Sequence, residues 1–217
     1  MRKILCLIIC LTLMQCGRSK KPNSLGLANV LYDCLTSEDI DILNEGITVF
    51  ENHLKKAYEG SQDSELEVYK KYLNNLSRMS FDRSFFQSKE SIDYLIKLKK
   101  TKTFKVLYKL YEEPKYDDEV AVPITSRDEQ IQEKEEFPDF FVLDEGGSFS
   151  SCLRKKSTVK DLKDYFETLK KVSDIAPTIK AGAFLEILKK SDKDLEIIKL
   201  SIAFDIYYVS MLMFNRL

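Results

Sequence analysis

A chain of 217 residues that is 44% apolar can bury a full core, and this length fits one domain or two small ones. Charged residues make up 32%, with only 7 glycines and 5 prolines, which excludes low-complexity disorder and points to helices with solvated faces. The formal net charge of −1 lacks the basic excess with which nucleic-acid binders neutralise phosphates, so no nucleic-acid partner is expected.

Arg2 and Lys3 open the chain with positive charge, and residues 4–14 follow as an apolar run in which only Thr12 is polar. As a helix this run would span about 16 Å, roughly half of a bilayer core, which suits a cleaved export signal and not a membrane span. Leu13-Met14-Gln15-Cys16 then stands where bacterial lipoproteins carry their lipobox. On these residues the N-terminus resembles a bacterial lipoprotein signal peptide, with Leu13 matching the pattern and Met14 and Gln15 larger than the small residues it favours.

That resemblance implies a signal peptide over residues 1–15, a diacylglyceryl group on Cys16, and a cell-envelope protein whose membrane partner is reached through that lipid. Two or three acyl chains, at about 0.8 kcal/mol per buried methylene, would make the attachment essentially permanent. Residues 16–24 become the lipidated cysteine and tether, carrying Arg18, Lys20 and Lys21, side chains that favour anionic headgroups. An uncleaved anchor, an ordinary secretory peptide and a buried helix compete with this reading. Residues 25–217 are left as a mainly α domain, a helical bundle of about seven helices with at most one small β-hairpin.

In that domain Ile40, Leu43, Ile47, Phe50, Leu54 and Ala57 recur at helical spacing, with Thr36 or Ser37 as cap. Gly60-Ser61 marks a turn into a second helix over 64–79, and a third is expected over 88–100. Residues 103–113 alternate like a strand yet also fit a helix, the favoured assignment. Residues 112–138 hold ten acidic groups over 112–136 and three prolines, which reads as a solvated acidic loop and a candidate subdomain boundary. Gly146-Gly147 between two apolar runs is a hairpin signal. Helices follow over 159–172 with Thr158 as cap, over 178–190, and over 192–214. The last is apolar enough to suggest a membrane span, but Lys199 and Asp205 argue for a central core helix.

Five cysteines divide accordingly: Cys6 and Cys10 fall in the signal, Cys16 carries the lipid, and Cys34 and Cys152 remain in the domain. Those two either pair as a disulfide, as an oxidising compartment allows, or sit apart as small buried hydrophobes. His53, the only histidine, lies on the flank of the first apolar stripe, where a packing role outweighs catalysis. Asp205 lies amid Ile202-Ala203-Phe204 and Ile206-Tyr207, so burial demands a lysine or tyrosine partner or a functional role. Asp117-Asp118-Glu119 and Asp144-Glu145-Gly146 lack the ligand order of a calcium loop, so no metal is expected.

Residues 89–105 and 152–172 are each locally +4, suited to an anionic partner or to the acidic loop. No catalytic motif and no cofactor signature occurs. The expected function is therefore a membrane-anchored binding or protein-interaction module without enzymatic activity, its small-molecule ligand unspecified. The alternative is an envelope enzyme with an acidic site around Asp205 or His53.

Overall fold

The computed structural model describes residues 26–60, 62–111, 140–172 and 175–215. The expected signal peptide, Cys16, its tether and the acidic stretch 112–138 lie outside the described residues. Among the described residues the protein is a mainly helical domain of eight helices with one two-stranded antiparallel sheet.

Helix α1 (Ser37–Ala57) begins at a capping box: Thr36 Oγ1 accepts from the Asp39 amide and the Asp39 carboxylate accepts from the Thr36 amide. These bonds satisfy amides that the first helical turn otherwise leaves unpaired. Its stripe of Ile40, Leu43, Ile47, Phe50 and Leu54 is buried. Gly46 lies between the stripe residues. A Cβ there would stand 2.4 Å from the Tyr94 hydroxyl and 2.9 Å from Phe204, so only glycine lets the helices approach this closely. The Tyr208 hydroxyl exploits the gap, donating to the Gly46 carbonyl at 2.7 Å.

Gly60, at φ 89, closes the turn after α1, a conformation glycine adopts without steric cost. Helix α2 (Glu65–Ser77) is capped by Ser64 and buries Tyr69, Tyr72, Leu73 and Leu76. A 3-10 turn at Arg83–Gln87 leads to α3 (Lys89–Leu98), capped by Ser88. The ambiguous stretch then splits. Thr103–Leu107 forms a short helix, α4, and Tyr108–Leu110 forms strand β1. The favoured reading of a helix through residue 113 is thus corrected: the alternating residues find a partner strand, which helical spacing cannot reveal.

That partner is β2 (Phe141–Leu143), in antiparallel register Tyr108↔Leu143, Lys109↔Val142 and Leu110↔Phe141. The expected hairpin at Gly146-Gly147 does not form. Gly147 instead occupies the N-cap of α5 (Ser148–Lys156), and the Asp144 carboxylate accepts from the Gly146 amide at 3.2 Å to close the strand-to-helix turn. Helix α6 (Lys160–Lys171) follows. Thr158 is not its cap. The Asp194 carboxylate, from far along the chain, accepts from the amides of Thr158 and Val159 and from the hydroxyls of Ser157 and Thr158.

Helix α7 (Pro177–Lys190) starts with proline in its first turn, where the missing amide costs nothing, and packs along α2. Helix α8 (Leu195–Asn215) runs through the centre. By length and composition it would suit a membrane span, yet 83% of its most apolar window is buried within the fold. Residues Ile202–Tyr207 of α8 are wound as a π-helix, all of them buried. Cys34 and Cys152 are joined as a disulfide, with Cα atoms 5.8 Å apart and a separation of 118 positions in sequence. The bond fastens the segment before α1 to α5.

Candidate functional site

Asp205 lies in the π-wound turn of α8 with no solvent exposure, and Lys180 from α7, with 5% of its side chain exposed, forms an ion pair with Oδ1. The Tyr165 hydroxyl from α6 donates to Oδ2 at 2.5 Å. Burial, and then the neighbouring Asp205 charge, pushes the Tyr165 hydroxyl far above its ordinary range, so it stays a protonated donor. Both oxygens of Asp205 are therefore engaged, and three helices are pinned at one point. A groove of about 410 Å³ opens above the pin between α6 and α7, lined by Ile175, Ile179, Ala183, Ile187, Tyr165 and Lys180.

His53 is also committed. Its Nε2 lies 2.9 Å from the Phe85 carbonyl, so that nitrogen carries the proton and donates. The ring packs on Phe85 and Tyr207, with centroids 4.5 and 5.7 Å away. Burial lowers its pKa, because the imidazolium is poorly solvated there.

A larger groove, about 920 Å³, runs along the outer face of the C-terminal half of α1 and includes Val49, Glu51, His53, Tyr58, Tyr69 and Glu90. On one flank Lys199 of α8 bridges two carboxylates, 2.5 Å from Glu65 and 3.7 Å from Glu51. The Tyr69 hydroxyl donates to Glu51 at 3.1 Å, and the Lys199 ammonium also lies 5.3 Å from the Tyr69 ring. Burial and the adjoining Glu65 push Glu51 up. Burial acts the same way on Glu65, but Lys199 and Glu51 outweigh it and hold that carboxyl low. On the other flank Lys56 pairs with Glu90 at 2.7 Å and holds it down at about 2. These groups come from α1, α2, α3 and α8, so no local spacing joins Glu51 to Glu65 and Lys199. The available signal was weaker: Glu51 sits beside the apolar stripe of α1, and Tyr69 belongs to that of α2.

The remaining nominated residues do not converge. Asp144 closes its own turn, and Glu145, 3% exposed, pairs with Lys109 at 2.7 Å. Among the described residues no group of three or more His, Cys, Asp or Glu side chains is placed to hold a metal ion. Asp117-Asp118-Glu119 and Cys16 lie outside the described residues. Of the two basic stretches, Lys56–Glu90, Lys89–Asp93 and Lys97–Glu45 tie acids to bases around the first, and Arg154–Glu167, Lys156–Asp33 and Lys160–Asp164 do so around the second. Comparison of the chain with family models, with curated proteins and with solved structures finds no match.

Proposed function

We propose that this protein is a cell-envelope lipoprotein, held to the membrane through Cys16, whose helical domain is a binding module and not an enzyme. The observation that carries the location is the Cys34–Cys152 disulfide, a bond that persists in oxidising compartments and is rare in reducing ones. It joins the lipobox-like Leu13-Met14-Gln15-Cys16 as a second, independent argument for export. The lipid supplies attachment, and the domain supplies recognition.

Support for recognition in place of catalysis comes from what the reactive groups are doing. Asp205 is spent on Lys180 and Tyr165, and His53 on the Phe85 carbonyl. The groove along α1 offers a mixed rim of carboxylates, lysines and tyrosines with Val49 on its wall, a composition that suits the polar rim of a protein contact. Native protein alkylated without prior reduction tests the compartment: Cys34 and Cys152 should resist modification and be recovered as one linked peptide pair. Quantitative labelling of both thiols in freshly isolated envelopes contradicts it. For recognition, pull-down from envelope extracts with wild type and a Glu51→Lys/Glu90→Lys variant should lose a specific partner in the variant. Unchanged capture removes the groove from the account.

A further inference from the structure

The stretch Tyr94–Tyr111 contains Lys97, Lys99, Lys100, Lys102, Lys105 and Lys109, with no acidic residue and no arginine. Lys97 pairs with Glu45 and Lys109 with Glu145. Lys99, Lys100, Lys102 and Lys105 are exposed and, among the described residues, form no salt bridge. Lys99, Lys100 and Lys102 sit on the turn between α3 and α4 and Lys105 on α4 itself, a segment held firmly from below. Leu98, Phe104 and Leu107 are buried, and the Thr103 hydroxyl donates to the Asp39 carboxylate of the α1 capping box at 2.8 Å. The lysines thus project from a fixed platform.

Apolar side chains adjoin them. Ile96 and Leu110 are each 42% exposed. Leu110 pairs in register with Phe141, and the Lys99 ammonium lies 5.1 Å from the Phe141 ring. The start of the described chain is close by. Gly26 packs directly against Asn44 of α1, one residue from the Glu45 that holds Lys97. Gly26 is ten positions along the chain from Cys16, a reach of at most about 35 Å.

From these observations we propose that the Lys99–Lys105 segment, flanked by Ile96 and Leu110, is the face that lies against anionic lipid headgroups. It fixes the orientation of the domain on the membrane that carries the lipid. This rests on the Cys16 anchor. The chemistry favours a bilayer surface over a built anion site or a nucleic acid. Lysine is a flexible point charge suited to a diffuse layer of headgroups, whereas arginine supplies the bidentate grip of specific phosphate recognition, and the turn has none. Lysines near an anionic surface gain by its potential, and short apolar side chains among them enter the interface. The groove lies along the C-terminal half of α1, whereas the lysine-bearing segment is bonded to the capping box at the N-terminal end of that helix.

The test is lysine acetylation footprinting of the full acylated protein on vesicles of phosphatidylcholine alone and of phosphatidylcholine with phosphatidylglycerol. Lys99, Lys100, Lys102 and Lys105 should be acetylated several-fold more slowly on the anionic vesicles, with Lys55, Lys163 and Lys170 unchanged, and high salt should abolish the difference. Each seated lysine contributes about a five-fold preference for the anionic surface. A Lys100→Gln/Lys102→Gln variant should therefore restore acetylation at Lys99 and Lys105. Equal protection on both vesicles overturns the inference, as does protection by a soluble polyanion that anionic vesicles fail to reproduce. Wild type that fails to sediment with neutral vesicles overturns the anchor instead, so the two failures are distinguishable.

Discussion

Asp205→Ala removes a carboxylate that is fully buried and leaves the Lys180 ammonium, whose side chain is 5% exposed, with no counter-charge in the described structure. An uncompensated buried charge of this kind costs about 3–5 kcal/mol, and the Tyr165 hydroxyl loses its acceptor as well. The domain should therefore lose a large part of the stability typical of a single fold. With a urea m-value of about 2–3 kcal/mol per molar for a domain of this size, the unfolding midpoint should fall by roughly 1.5 M. Lys180→Met strands Asp205 in the same way and should cost a similar amount. The double variant Asp205→Ala/Lys180→Met removes both charges together, and its cost should fall well short of the sum, since neither charge is then left buried without its partner. Urea unfolding of the four proteins, followed by tyrosine fluorescence and far-ultraviolet circular dichroism, gives the cycle. If Asp205→Ala unfolds at the wild-type midpoint, Asp205 is not a structural pin. Strict additivity of the two single changes would show that Lys180 and Asp205 do not interact.

Breaking the disulfide with Cys34→Ser/Cys152→Ser releases a loop closed over 118 residues, which on the chain-entropy account costs about 5 kcal/mol; a drop below about 1 kcal/mol in urea unfolding would refute it. The Tyr72 hydroxyl is buried without a hydrogen-bond partner among the described residues, so Tyr72→Phe should stabilise by about 1 kcal/mol, read as a higher melting temperature. A lower melting temperature would reveal a partner for that hydroxyl. Because burial depresses the folded-state pKa of His53, its contribution is present above the unfolded value of about 6.5 and is lost as pH falls through the folded value. The stability difference between wild type and His53→Gln should therefore shrink from pH 7.5 to pH 5, and a difference independent of pH would remove the cause.

Much of the architecture is legible where a helix carries its own signal. The α1 stripe, its capping Thr36 and the caps Ser64 and Ser88 of α2 and α3 are local patterns, and each helix begins where its cap places it. Legibility fails where the partner is distant. Tyr108–Leu110 becomes a strand because Phe141–Leu143 lies beside it, and residues 103–107 alone cannot announce that. Gly146-Gly147 has the letters of a hairpin turn, but the Asp144 carboxylate and the helix-competent run after Gly147 turn it into a helix entry. Val159 occupies the N-cap of α6 with no side-chain cap, and Asp194 instead holds the residues just before the helix from more than thirty residues away, which no local pattern around Thr158 announces.

The site shows the same division. A buried Asp205 required a lysine or tyrosine, and both are there, yet only the fold selects Lys180 and Tyr165. The Glu51–Glu65–Lys199 cluster joins three helices and has no spacing to betray it. Gly46 is another case: as one glycine within a helix it looks like a small destabilising residue. In the fold its missing side chain makes room for Tyr94 of α3 and Phe204 of α8, and its carbonyl accepts from Tyr208.

The central claim is attachment through Cys16, and the direct measurement is intact mass with detergent-phase partition of native protein beside a Cys16→Ala variant. The account predicts a wild-type protein that lacks residues 1–15, carries the added mass of a diacylglyceryl group at Cys16 and enters the detergent phase, with the acyl mass absent from the variant. A wild type that retains residues 1–15 with an unmodified Cys16, or a variant that keeps the acyl mass and the membrane fraction, would contradict it.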